Sequence, residues 1–124
     1  MKDRKRQMQD ERRKSPRVAL ETRVDMASDS NFYTGFSEDI SQGGLFVATY
    51  SLQPIGTSIA LAFDLPGGRN VNASGSVRWI RDILDLDDPS CPGMGIGFEE
   101  LSPDDKQVIE QFMRNRPPIF YTEE

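Results

Sequence analysis

Apolar residues alternate with polar ones along most of this chain. Val18, Leu20, Thr22, Val24 and Met26 fall on one side of a run with period two, the mark of a half-buried strand. The turn-forming stretch "ASDSN" follows, and a second strand is predicted from Phe32 to Ile40. "SQGG" breaks it, and "LFVATY" predicts a third. After the loop "LQPIGTS", "IALAFDL" places Ile59, Leu61, Phe63 and Leu65 on one side of a fourth. "PGGRN" is a tight turn into "VNASGSVRWI", a long fifth strand that Gly75 can bend. "DILDLDDPSCPG" is an acidic loop, and "MGIGF" is a short sixth strand whose glycines point to close packing or a bend.

The period then changes. Val108, Ile109, Phe112 and Met113 form an apolar stripe at helical spacing. Ser102 is a good N-cap, Pro103 suits the first helical position, and Asp104 and Asp105 complement the positive end of the helix dipole. Pro117 and Pro118 stop the helix. Several short strands, Gly/Pro turns and one helix predict a mainly β fold: a small antiparallel β-barrel with a C-terminal α-helix that plugs or flanks it. Phe112 and Met113 read as core, and Trp79 as core or barrel wall. Ile119, Phe120 and Tyr121 either dock back on the barrel or form a patch for a partner.

Length and charge sharpen this picture. The chain has 124 residues, about one domain. We expect a basic arm over residues 1–12, the barrel with its helix over 13–116 and a tail over 117–124. Net charge is −5, but residues 1–17 hold eight Lys/Arg against three Asp/Glu, which leaves −10 for the remainder. A basic arm on an acidic body favours a local anionic target over general affinity for polyanions, and so weighs against a nucleic-acid partner. There is no histidine and one cysteine, Cys91. Imidazole catalysis is therefore excluded, and an intrachain disulfide cannot form. No convincing metal cluster or activated nucleophile is present, so a non-enzyme is expected. No apolar run is long enough for membrane insertion, and a cytoplasmic location is expected.

Two segments carry candidate chemistry. In Arg13-Lys14-Ser15-Pro16-Arg17, two arginines stand four apart, and Pro16 draws them onto a bent arm rather than a helix. Taken alone, such a pair is either a solvated arm or a hand that closes on an anion. In Asp39-Ile40-Ser41-Gln42-Gly43-Gly44, strand spacing turns Asp39 and Ser41 to one side, and Gly43 and Gly44 allow close approach of backbone or a flat ring. Alone, this is equally a plain turn with a local hydrogen bond. Together they suit a guanine nucleotide. Arginine matches guanine O6 and N7, or a phosphate, in a bidentate way. A carboxylate accepts from the guanine N1–H and exocyclic amine, and a hydroxyl reaches phosphate or base edge.

Arg13-x-x-x-Arg17 followed by Asp39-x-Ser41-x-x-Gly44 resembles the paired motif of the PilZ domain, a family of bacterial cyclic di-GMP receptors. "DISQGGLFVAT", "IALAFDLP", "GSVRWI" and "GMGIGFEEL" resemble the family's later segments, and "SNFYTGFSEDISQGGLFVATY" is similar to stand-alone members from gliding bacteria. The resemblance implies a six-stranded antiparallel β-barrel with a C-terminal α-helix. It also implies that Arg13 and Arg17 contact guanine and phosphate, that Asp39 takes the guanine edge, that Ser41 supports base or phosphate, and that Gly44 leaves room. Arg12, directly before the motif, is the position that the family associates with a stacked pair of ligands. The implied ligand is cyclic di-GMP with no further cofactor, and the implied output is an effector protein, in motility or surface behaviour. A homodimer is compatible with it. The alternative within the family is an interaction module that does not bind nucleotide.

Overall fold

The computed structural model describes residues 16–82 and 91–119. Seven strands run in chain order as β1 (Val18–Ala19), β2 (Arg23–Ser28), β3 (Asn31–Ser41), β4 (Gly44–Ala48), β5 (Ser58–Leu65), β6 (Arg69–Arg81) and β7 (Gly93–Leu101). One helix, α1 (Pro103–Arg114), follows. Every pairing is antiparallel. The order β3-β2-β5-β6-β7-β4, with β4 also paired to β3, closes a six-stranded barrel, and β1 lies beside the far half of β3. Closure leaves those six strands without an open edge.

The predicted strand over Val18–Met26 is broken in two. At the break, the buried Ser37 hydroxyl donates to the Leu20 carbonyl and accepts from the Thr22 N–H. The side chain thus bridges the gap between the β1 and β2 pairings with β3, beside the backbone bonds Leu20 N–H to Glu38 and Ser37 N–H to Thr22. The remaining strands lie within a few residues of their predicted positions, and β7 runs further than "MGIGF", to Leu101, where it pairs with Ala73. Gly75 marks a register shift between β6 and β7, the bend expected of it.

Inward positions make the core. Val24, Met26, Ile40, Leu45, Val47, Ile59, Leu61, Phe63, Val71, Val77, Met94 and Ile96 are all buried. Each such side chain stabilises the fold by roughly 1.5–3 kcal/mol relative to exposure. Helix α1 adds the buried Ile109, with Val108, Phe112 and Met113 partly buried against the same cluster. Ser102 caps it, accepting from the Asp105 N–H at 3.0 Å. Beyond the helix the chain returns: Ile119 donates its N–H to the Arg17 carbonyl at 2.8 Å, and Pro118 bridges to Val18. Ile119 therefore docks on the barrel; Phe120 and Tyr121 lie outside the described residues. Among the described residues no helix is long and apolar enough to cross a membrane.

Candidate functional site

The two motif segments meet on the outer face of the barrel. Asp39 and Ser41 stand near the end of β3, and β1 runs beside them, with Val18 opposite Ile40 and Ala19 opposite Asp39. Arg17, one residue before β1, is thereby delivered to both. Its Nε donates to Asp39 Oδ1 at 2.5 Å and its Nη1 to Ser41 Oγ at 3.4 Å. The pair is mostly shielded, with side-chain exposures of 25% for Arg17 and 14% for Asp39. Low exposure strengthens a charge-assisted hydrogen bond by excluding competing water.

Ser41 is buried and organises the bend after it. Its hydroxyl accepts from the Gly43 N–H at 3.2 Å and reaches the Gly44 carbonyl at 3.4 Å. Gly43 is exposed at the tip. Gly44 is buried, and a Cβ there would lie 2.3 Å from the Ile96 carbonyl oxygen. The close approach at Gly44 is thus made by the β7 backbone. Arg12 and Arg13 lie outside the described residues.

The site extends across the sheet along one row of register partners. Asp39 pairs with Phe46, Phe46 with Gly95, and Gly95 with Trp79. Trp79 belongs to the barrel wall, as predicted, but on its outer face and half exposed. Its ring leans over Gly95, where a Cβ would lie 2.0 Å from Nε1, and stacks on Phe46 with ring centroids 4.9 Å apart. Phe46, an outward-facing residue, is only 2% exposed because its neighbours roof it. One of them is Arg81, whose guanidinium carbon sits 4.5 Å from the Phe46 ring centre.

Arg81 also makes a two-pronged contact with Glu38, at 2.7 and 3.2 Å, and donates from Nε to the Cys91 carbonyl at 2.8 Å. Glu38 shares the outer face with Asp39 because the β3–β4 register shifts between Ser37 and Asp39. Sequence reading missed Glu38, Phe46 and Arg81. Strict alternation sends Glu38 to the opposite face from Asp39, and only the bulge puts both carboxylates outside.

This surface offers a guanidinium, a carboxylate and a flat indole within a few strand spacings, with the buried Ser41 hydroxyl behind the first two. Such a set can hold the edge and face of a purine and a phosphodiester.

Comparison with known proteins agrees with the fold. The MotI/DgrA inhibitor of motility from Bacillus subtilis is 22% identical with a TM-score of 0.67, over 85% of this chain and 53% of that one. The PilZ domain of Escherichia coli YcgR, solved with c-di-GMP, is 17% identical with a TM-score of 0.63, over 83% and 92%. The K. pneumonia MrkH–c-di-GMP complex is 21% identical with a TM-score of 0.69, over 84% and 52%. The chain thus spans about half the length of MotI and MrkH. No curated protein sequence matches it. The sequence pattern of the PilZ domain covers residues 11–115. With the closed barrel and the converging motif residues already described, that match establishes that the chain belongs to the PilZ domain family.

Proposed function

We propose that this chain is a non-catalytic receptor for cyclic di-GMP that signals to a partner protein. The observation that carries the reading is the contact of Arg17 with both Asp39 and Ser41, since it joins the two motif segments at one spot. Two neighbours in fold, YcgR and MrkH, were solved with this ligand, which supports the choice of nucleotide.

In this reading Arg17 turns from its own carboxylate to the ligand, donating to guanine or phosphate. Asp39 accepts from the guanine N1–H and amine. Ser41 holds the bend and reaches base or phosphate, Gly43 offers a bare exposed backbone, and Gly44 keeps the bend tight against β7. Arg12 and Arg13 add guanidinium groups from the preceding arm. Trp79, one row from Asp39, supplies a surface on which a purine can stack. Closure of the basic arm over the barrel then alters a surface that the partner reads, in motility or surface behaviour. The place of action is the cytoplasm.

Thermal-shift measurements with cyclic di-GMP, GTP and a short oligonucleotide test this. Stabilisation by the cyclic dinucleotide alone is expected. No shift with any of the three would leave an interaction module that works without nucleotide. A shift with the oligonucleotide would point to nucleic acid.

A further inference from the structure

Five large apolar side chains are exposed among the described residues: Phe32, Phe36, Tyr50, Ile55 and Trp79. Three of them share one face, which adjoins the row just described, since Phe36 pairs with Ala48, two residues from Phe46. Phe32, Thr34 and Phe36 are successive outward positions of β3, and both phenylalanines are more than 60% exposed. Thr49 donates to the Thr34 carbonyl at 3.0 Å, which sets Tyr50, 84% exposed, next to Thr34. Small residues flank the aromatics. Ala27 pairs with Phe32 and with Ala60, and Ala48 pairs with Phe36. The result is a low apolar floor with three projecting rings.

A stretch of this kind on a soluble domain marks a contact surface. An aromatic side chain carries roughly 150–250 Å², so the three rings at these exposures offer about 350–570 Å². A standard interface needs about 800 Å² from each partner, and the surrounding alanines and charged pair can supply the difference.

Charge identifies the occupant. The barrel is acidic, so two copies repel over most of their surfaces. On this face the two charges that β2 itself carries, Arg23 and Asp25, offset each other, with Glu21, Asp29 and Asp64 exposed around them. Arg23 pairs with Phe36 and Asp25 with Thr34, and the two charged side chains are 67% and 61% exposed and 3.1 Å apart. A two-fold axis lying between two such faces, across the strands at the level of Val24 and Gly35, brings Arg23 of one copy over Asp25 of the other. The same operation lays Phe36 over the partner copy's Thr34, the gap between its Phe32 and Phe36. Knob meets gap and cation meets anion under one operator, the self-complementarity that a two-fold interface requires.

We propose that the Phe32–Phe36–Tyr50 face is the surface through which two copies of this chain associate. The inference rests on the barrel and its outer face, and stands apart from the nucleotide reading.

Light scattering and sedimentation of the full chain, from micromolar to near-millimolar concentration, test it. The expected result is a mass that rises from one chain to two. Phe36→Glu is expected to weaken association at least about 30-fold, as loss of a central aromatic anchor does. Tyr50→Ser gives the same direction with a gentler change. Both residues are exposed, so an unfolding midpoint unchanged from the parent at a concentration where the parent is a single chain separates lost association from lost fold. Arg23→Asp and Asp25→Arg should each weaken association, and the double exchange should restore it. A single-chain mass at every concentration, or a double exchange no better than either single one, overturns the proposal.

Discussion

Arg17 and Asp39 lie 22 residues apart in the chain, yet the guanidinium Nε sits 2.5 Å from the carboxylate Oδ1. The same guanidinium reaches Ser41. In the proposed reading Asp39 is the base-edge acceptor, and here it is engaged by its cationic neighbour. On that proposal, ligand binding would exchange one set of charge-assisted hydrogen bonds for another, with no unpaired buried charge on either residue beforehand.

Removing that guanidinium should be felt directly in affinity. Charge-assisted hydrogen bonds contribute roughly 1.5–3 kcal/mol, so Arg17→Ala is expected to weaken cyclic di-GMP binding about 10- to 150-fold by calorimetry. Asp39→Asn should weaken it too, and the double variant should lose less than the two single losses combined, because the residues act on one ligand and on each other. Unchanged affinity in Arg17→Ala would remove this residue from the site.

Trp79 is the chain's single tryptophan, so its emission reports on the outer face alone. Gly95→Ala places a methyl group where the indole now lies and should swing the ring off Phe46. A red-shifted emission maximum is expected as the ring enters water, with a stability loss of about 1–3 kcal/mol from the forced repacking. An emission spectrum identical to that of the parent would show that the indole does not depend on the missing Cβ.

Arg81 ties three elements together through Glu38, Phe46 and the Cys91 carbonyl. Arg81→Ala should cost about 1 kcal/mol in urea unfolding, since the ion pair is partly exposed and the ring contact is modest. Because Phe46 loses part of its roof, the fluorescence of Trp79 should change in the same variant. Lysine at this position should recover little, as it lacks the planar fork that grips Glu38.

Helix α1 is fastened chiefly by Ile109, the one fully buried side chain it contributes. Ile109→Ala is expected to destabilise the protein by about 2–5 kcal/mol, through lost burial and the cavity left behind. Circular dichroism melts should show the drop. Phe112→Ala, at a site only partly buried, should cost less.

Much of this was readable from residue order. Period-two alternation and the turn-forming stretches between runs located the six barrel strands, and Ser102-Pro103 with the paired acids located the start of α1, because these signals are local. The break at Leu20–Thr22 was not readable, since the hydroxyl that bonds there belongs to Ser37, fifteen residues away from Thr22. Nor was the outward position of Glu38, which depends on a register shift between two strands.

The residue types at the site, arginine, aspartate, serine and glycine at their spacings, are written in the chain and state what chemistry is on offer. That Arg17 touches Asp39, that Trp79 lies flat over Gly95 onto Phe46, and that Phe32, Phe36 and Tyr50 gather on one outer face came only with the closed barrel. Local patterns depend on neighbours a few bonds away. Which strands lie side by side, and in what register, depends on how the whole sheet closes around its core.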